Sequence, residues 1–260
     1  MSEPVLLGQL RARAARAPMV VAHRGNSSAF PENTLPAFRS AVTLGADLVE
    51  LDFQACADGT LVCLHDDTLN RTTDACARLG GEHIAIASLP WSRVRRLDAG
   101  AWRGRAHRGT RVPSLRQALR CITPRAIAMV EHKSGTPEAL LALLGSRRLR
   151  ERVLVQSFDW RFLARLHALA PDLLLGALGE GPLLPRHLRA LPRTGARLVH
   201  WDAAALALGD VARLQRRGFL VCVYTVDPDV ALVGAVCSGL DAITTNRPAR
   251  LIQLLSQSFV

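Results

Sequence analysis

Between residues 23 and 66 the chain sets down four polar clusters: His23-Arg24-Gly25, Pro31-Glu32-Asn33-Thr34, Glu50-Leu51-Asp52 and His65-Asp66. Apolar stretches of strand and helix character separate them. Two histidines, an arginine and two acids one residue apart are the parts needed to bind a divalent metal and hydrolyse a phosphate ester. A histidine with an ordinary pKa of about 6.5 serves as acid or base near neutral pH. The planar fork of Arg24 suits a phosphate oxygen.

Strand periodicity says where these groups point. In the run Leu48–Gln54, alternation puts Glu50, Asp52 and Gln54 on one face and Val49, Leu51 and Phe53 on the other. The apolar face must pack under helices, so the carboxylates face inward, where they repel unless a hard cation with oxygen ligands neutralises them. Further along, Ile127, Met129, Glu131 and Lys133 share one face, which makes Glu131 a third candidate ligand. Of 33 basic residues Lys133 is the single lysine, a compact point charge where arginine serves everywhere else. Three carboxylates, a divalent cation, Arg24 and Lys133 leave one positive charge. That balances the single negative charge of a phosphodiester.

The elements that must hold these residues follow from the pattern of the whole chain. Short valine- and leucine-rich runs predict strands at 19–24, 48–54, 126–133, 152–158, 173–178, 197–202, 219–226 and 241–245. Helical patterns fall between them, at 33–44, 114–121, 137–148, 159–169, 184–191, 209–217, 228–238 and 248–257, with Asp159, Gly209-Asp210 and Asp227-Pro228 as expected starts. Eight alternations over about 250 residues predict a (β/α)8 TIM barrel, with the site at the carboxyl ends of its strands. Residues 67–112 interrupt the alternation and are expected to form a small cap after the second strand, burying Ile84, Ile86, Leu89, Trp91 and Leu97. Residues 1–18 read as an N-terminal extension or short helix, with an organelle-targeting or membrane-touching segment as the alternative; the barrel domain takes 19–260.

Composition narrows the partners. The net charge of +11 is scattered, and aromatics make up 5% of the chain, sparse for base stacking, so a nucleic-acid partner is not expected. Six cysteines without zinc-site spacing read as reduced thiols, the expectation for a cytoplasmic protein. No stretch approaches the roughly 18 apolar residues of a membrane span, so no stable membrane insertion is expected.

The clusters His23-Arg24-Gly25, Pro31-Glu32-Asn33-Thr34, Gly45–Asp52, Asp58-Gly59-Thr60, His65–Leu69 and Arg71-Thr72-Thr73 closely resemble the glycerophosphodiester phosphodiesterases. The likeness continues through Leu97–Gly100, Pro113-Ser114-Leu115, Glu131-His132-Lys133, Gln156-Ser157-Phe158, Tyr224-Thr225-Val226 and Gly239-Leu240-Asp241 to Thr244–Pro248, covering residues 19–250 in order. The resemblance implies a barrel with a cap after its second strand. It implies Mg2+ or Ca2+ on Glu50, Asp52 and Glu131, His23 and His65 as the acid/base pair, and Arg24 and Lys133 on the phosphate. It further implies that a glycerol hydroxyl attacks phosphorus and that water opens the cyclic phosphate to give sn-glycerol 3-phosphate. Glycerophosphocholine and glycerophosphoethanolamine are the expected small-molecule substrates.

Three positions depart from the family's usual residues. His132 replaces an aliphatic residue but points outward. Tyr224 stands where tryptophan is common and is expected to cover the substrate. Asn246 replaces a frequent aspartate near the last strand. Glu32 is placed with the substrate-binding residues, its partner left open between a helix dipole, the metal and a histidine. The alternatives are a lysophospholipase D or sphingomyelinase D-like enzyme, for which Trp91 and Trp102 are the hint, and a non-catalytic glycerophosphodiester-binding protein.

Overall fold

A computed structural model of the chain describes residues 3–258. Its strands are β1 (Met19–Ala22), β2 (Leu48–Ala55), β3 (Leu61–Cys63), β4 (Ile127–His132), β5 (Val153–Ser157), β6 (Leu174–Gly179), β7 (Leu198–Asp202), β8 (Leu220–Tyr224) and β9 (Ala242–Thr245). All but β3 are parallel, each bonded to the next, and β1 pairs with both β2 and β9, so the sheet closes into a TIM barrel of eight strands. Every strand expected from alternation forms, its ends displaced by at most two residues. The short β3 runs antiparallel against the upper part of β2, outside the barrel.

The helices are α1 (Val5–Ala14), α2 (Leu35–Leu44), α3 (Ala75–Leu79), α4 (Trp91–Val94), α5 (Leu115–Ile122), α6 (Pro137–Leu144), α7 (Arg147–Arg150), α8 (Trp160–Leu169), α9 (Pro185–Ala190), α10 (Leu208–Gln215), α11 (Asp229–Val236) and α12 (Pro248–Ser258). Several expected helices are shorter than their patterns, and two of them break. The stretch 137–148 breaks at Gly145, whose φ of 53° ends α6, and Ser146 then caps α7. The stretch 184–191 tightens into a 3-10 turn over Leu191–Thr194, because Pro192 has no N–H to continue the helical ladder. Asp159 caps α8, accepting from the amides of Arg161 and Phe162. Asp227, expected to start α11, instead turns its carboxylate toward Asn246.

Alternation divides the strand residues into two sets. The outward set, including Val49, Leu51, Val130, Val155, Trp201 and Ile243, packs under the helices as the main core. The inward set is apolar at the amino ends of the strands, where Met19, Leu48, Ile127, Leu154, Leu174, Leu198 and Leu220 form a second core. Helix α1 belongs to it: Leu6, Leu7 and Leu10 pack into that end of the barrel. Arg13 clips the helix in place through a two-pronged ion pair to Asp47 at 2.6 and 2.9 Å, and Arg11 donates to the Gly218 carbonyl. One end of the lumen is thereby filled with hydrocarbon, and the polar residues are left for the other.

The cap has its own core. Val62, Leu64, Leu69, Ile86, Val94, Leu97 and Val112 are buried together, with Ile84, Leu89 and Trp91 packed at the margin. Trp102 is 40% exposed, its indole N–H donating to the Ala99 carbonyl. Among the described residues no helix is long and apolar enough to cross a membrane, and all six cysteines are free.

Candidate active site

The lumen narrows to three carboxylates. Glu50 and Asp52 lie on the inner face of β2, and the register of β2 with β4 pairs Asp52 with Glu131. The three are nearly inaccessible, and one oxygen from each lies within 4.8 Å of the others. Glu50 Oε2 accepts the Arg24 amide at 2.9 Å, and Asp52 is gripped by Asn33, which donates to Oδ2 at 2.8 Å and accepts the Asp52 amide at 3.1 Å. The turn that aims the Arg24 amide needs left-handed backbone at Arg24 and Gly25. A Cβ on Gly25 would come 2.7 Å from the backbone of Ala37, so only glycine allows α2 this close.

The electrostatics of this cradle are unbalanced. Burial, then Asp52 and Glu131, push the Glu50 carboxyl well above its ordinary range. Burial and Asp52 likewise raise Glu131 to about 7. Glu50 Oε1 has no hydrogen-bond partner among the described residues, and Glu131 Oε1 has only the Lys133 ammonium against it. Buried oxygens left unpaired in a cluster of like charge fit a hard divalent cation such as Mg2+ or Ca2+. Burial pulls the Lys133 ammonium down, but Asp52, at 3.5 Å, and Glu131 more than offset this and keep it charged.

Each histidine has an oriented partner. His23 follows β1, and its Nδ1 lies 2.8 Å from Asn246 Oδ1. Asn246 donates through Nδ2 to Asp227 at 2.6 Å, which fixes its oxygen toward the imidazole. The His23 Nδ1 is therefore the protonated nitrogen and Nε2 carries the lone pair. Burial and the neighbouring Arg24 hold the His23 pKa below its ordinary value. His65 follows β3, and its Nδ1 lies 2.7 Å from Asp66, whose carboxylate is clamped by Arg71 at 2.6 and 2.9 Å.

Glu32 joins the two halves. Its Oε1 accepts from Arg24 at 2.7 Å and from Arg71 at 2.8 Å, and its Oε2 from Arg71 at 2.9 Å. Burial alone would raise Glu32, but Arg71 and Arg24 bring it down to about 2. A continuous chain of charged contacts thus runs from His65 through Asp66, Arg71, Glu32 and Arg24 to Asp52, with Arg24 Nε 3.4 Å from Asp52. Arg71 and Asp227 were not among the site residues expected from the sequence. Arg71 stood in the quoted Arg71-Thr72-Thr73 cluster, but a contact spanning 39 positions to Glu32 leaves no local signal.

Tyr224 ends β8 on the lumen side; its hydroxyl donates to the Gly179 carbonyl at 2.9 Å and its ring meets His200 edge-on at 4.9 Å. Phe158, 46% exposed, stands 6.2 Å from that ring and 6.0 Å from Lys133 Nζ. His132 does point outward: it stacks on Phe162 at 3.6 Å and bonds Ser157 and Gly135.

Fold and site together define a class: barrel hydrolases that work on phosphate esters at an acidic cradle suited to a divalent cation. Residues 23–250 match the model of the Glycerophosphoryl diester phosphodiesterase family, and the chain belongs to that family of enzymes, hydrolases of glycerophosphodiesters. It is similar to a glycerophosphodiester phosphodiesterase of Caldanaerobacter subterraneus subsp. tengcongensis, 32% identical over 245 residues, 91% of this chain and 97% of that one. A Bacillus subtilis glycerophosphodiester phosphodiesterase is 30% identical over 253 residues, 88% of this chain and 84% of the other. Among solved structures, an Oleispira antarctica phosphodiesterase in complex with the product sn-glycerol-3-phosphate superposes with a TM-score of 0.83 at 25% identity, covering 93% of this chain and 98% of that one.

Proposed function

We propose that the protein hydrolyses glycerophosphodiesters such as glycerophosphocholine and glycerophosphoethanolamine to sn-glycerol 3-phosphate and the free alcohol. His23 and His65 exchange the protons. The observation that carries this reading is the pair of differently backed histidines: His23 rests on an amide and His65 on a carboxylate, and the ion-pair chain ties the second to the carboxylate cradle. His23, with its Nε2 lone pair free, takes the proton from the glycerol hydroxyl as that oxygen attacks phosphorus. His65, its ring oriented by Asp66, gives a proton to the departing alcohol oxygen. The result is a cyclic phosphate and a neutral alcohol. Water then adds to phosphorus, giving its proton to the now neutral His65, while His23 returns its proton to the glycerol oxygen as the ring opens.

Glu50, Asp52 and Glu131 would hold the divalent cation, Mg2+ or Ca2+, whose charge stabilises the negative charge that builds on the phosphoryl oxygens. Arg24 and Lys133 supply the remaining positive charge to those oxygens. Glu32 holds Arg24 in place, and Tyr224, with Phe158, forms the wall against which the substrate sits.

A substrate panel on metal-stripped protein tests this reading. With Mg2+, Ca2+ or Mn2+ added back, glycerophosphocholine or glycerophosphoethanolamine should release glycerol 3-phosphate, and acyl-bearing lysophosphatidylcholine should react far more slowly. Absence of release with every metal would overturn the assignment. Faster turnover of the acylated lipid would move it to a lysophospholipase D.

A further inference from the structure

Beside the carboxylates lies a buried polar chain that takes no part in the proton transfers. It joins four strands across the lumen. Gln156 on β5 and His200 on β7 are 1% and 2% exposed, and Gln156 Oε1 lies 2.7 Å from His200 Nδ1. The contact passes over β6, whose residue in register with Gln156 is Gly176, with no side chain to block it. His200 Nε2 lies 2.9 Å from Thr244 Oγ1 on β9, and the Cys222 thiol on β8 lies 3.4 Å from that same oxygen.

The amide oxygen of Gln156 faces the imidazole, and that orientation gives the chain its direction. An amide oxygen has no proton, so His200 Nδ1 must donate to Gln156. Burial holds the His200 pKa down to about 3, so its ring is neutral and Nε2 can only accept, which makes Thr244 the donor. The Cys222 thiol lies between that hydroxyl and the Val223 carbonyl, to which it donates at 3.8 Å. With its oxygen toward His200, Gln156 leaves Nε2 as its free end.

That free end has no partner. Five buried side-chain atoms lack a hydrogen bond among the described residues, and four of them belong to the site: Arg24 Nε, Glu50 Oε1, Glu131 Oε1 and Gln156 Nε2. Of the two carboxylate oxygens, Glu131 Oε1 has the Lys133 ammonium against it and Glu50 Oε1 has no cation opposite. Of the two nitrogens, Arg24 Nε already faces Asp52 at 3.4 Å, which leaves the Gln156 amide as the donor that calls for an anionic oxygen. Gln156 is in register with Glu131 on the neighbouring strand, so its amide shares the inner face with the ligand set, one pleat below the level of Lys133.

We infer that Gln156 is a further substrate-binding residue whose Nε2 donates to a non-bridging phosphoryl oxygen. His200 and Thr244 are the positioning residues that hold the amide oxygen and so aim Nε2. The inference rests on the proposed hydrolysis of phosphodiesters and adds to it a neutral donor that grips the phosphate without competing with the cation for charge.

Calorimetric titration of sn-glycerol 3-phosphate into the Mg2+-loaded protein, with Mg2+ titrated separately, tests it. A hydrogen bond to a charged oxygen predicts that Gln156→Leu weakens the phosphate ester on the order of tenfold to a hundredfold. Mg2+ affinity should stay within about twofold. Gln156→Glu, which keeps the acceptor for His200 but turns an acceptor toward the phosphate, should bind still more weakly. Thr244→Val should cause a smaller loss that disappears in the Gln156→Leu background, as it must if Thr244 acts through Gln156. Unchanged ester affinity in Gln156→Leu, or a loss of Mg2+ affinity in its place, would overturn the inference. Equal Thr244→Val losses in both backgrounds would do the same for the positioning role. Wild-type protein that binds no ester with any divalent metal would instead sink the proposed function itself.

Discussion

At the scale of single residues the site is a problem of like charges solved by interleaving. Arg24 lies between Asp52 and Glu32, and Arg71 between Glu32 and Asp66, so no carboxylate of the chain leading to His65 faces another without a guanidinium between them. Glu32 is held at about 2, below its ordinary value near 4.5, so its contribution to stability is complete above pH 4.5 and is lost as pH falls through 2. The difference in Tm between the wild type and Glu32→Gln should therefore be largest above pH 5 and shrink steadily toward pH 2. A difference constant over that range would mean that the glutamate's charge does not matter. Glu50, Asp52, Glu131 and Lys133 were legible in the sequence because alternation alone turns them inward. The partner of Glu32 was not, since Arg71 reaches it from a cap that no periodicity describes. The same holds for Asp227: an acid before a proline looks like a helix start, and only the folded β9 shows that Asn246 claims it.

At the scale of elements, the strands were readable because each is buried on both faces and so is written largely in valine and leucine. Helix ends were less so. Gly145 and Pro192 break the patterns at 137–148 and 184–191 for backbone reasons that apolar spacing does not register. The cap was legible as an interruption of the βα alternation, though β3, only three residues long, was not among the expected strands. Helix α1 shows the opposite case, a segment with little sequence signal and a definite place, plugging the amino end of the barrel with Leu6, Leu7 and Leu10. Leu7 is fully buried, so Leu7→Ala should cost about 2–5 kcal/mol in urea unfolding. The site lies at the far end, so kcat should hold at temperatures where the variant stays folded. A stability loss under about 0.5 kcal/mol would show that α1 is not part of the cooperative core.

At the scale of the whole molecule, 32 arginines and one lysine against 22 acidic residues give a net charge of +11, and the cap contributes Arg78, Arg95, Arg96 and Arg111, which with Arg39 line an open groove of about 960 Å³. A positive surface of this size speeds the approach of anions and is screened by salt. For a net-anionic diester such as glycerophosphoglycerol, kcat/KM should fall as NaCl rises from about 20 to 300 mM, while zwitterionic glycerophosphocholine should change little. Equal salt dependence for the two would show that the charge serves something other than steering. The central claim is narrower: two histidines and a metal-binding carboxylate cradle at one end of this barrel cleave a glycerophosphodiester. Its most direct test is glycerol 3-phosphate release from glycerophosphocholine by the metal-loaded wild type, His23→Ala and Glu131→Gln, with folding checked by Tm. The account predicts release by the wild type and a loss on the order of a hundredfold or more in His23→Ala. Glu131→Gln should recover partly at high metal concentration. Undiminished release by His23→Ala, or release that survives complete removal of divalent metal, would contradict it.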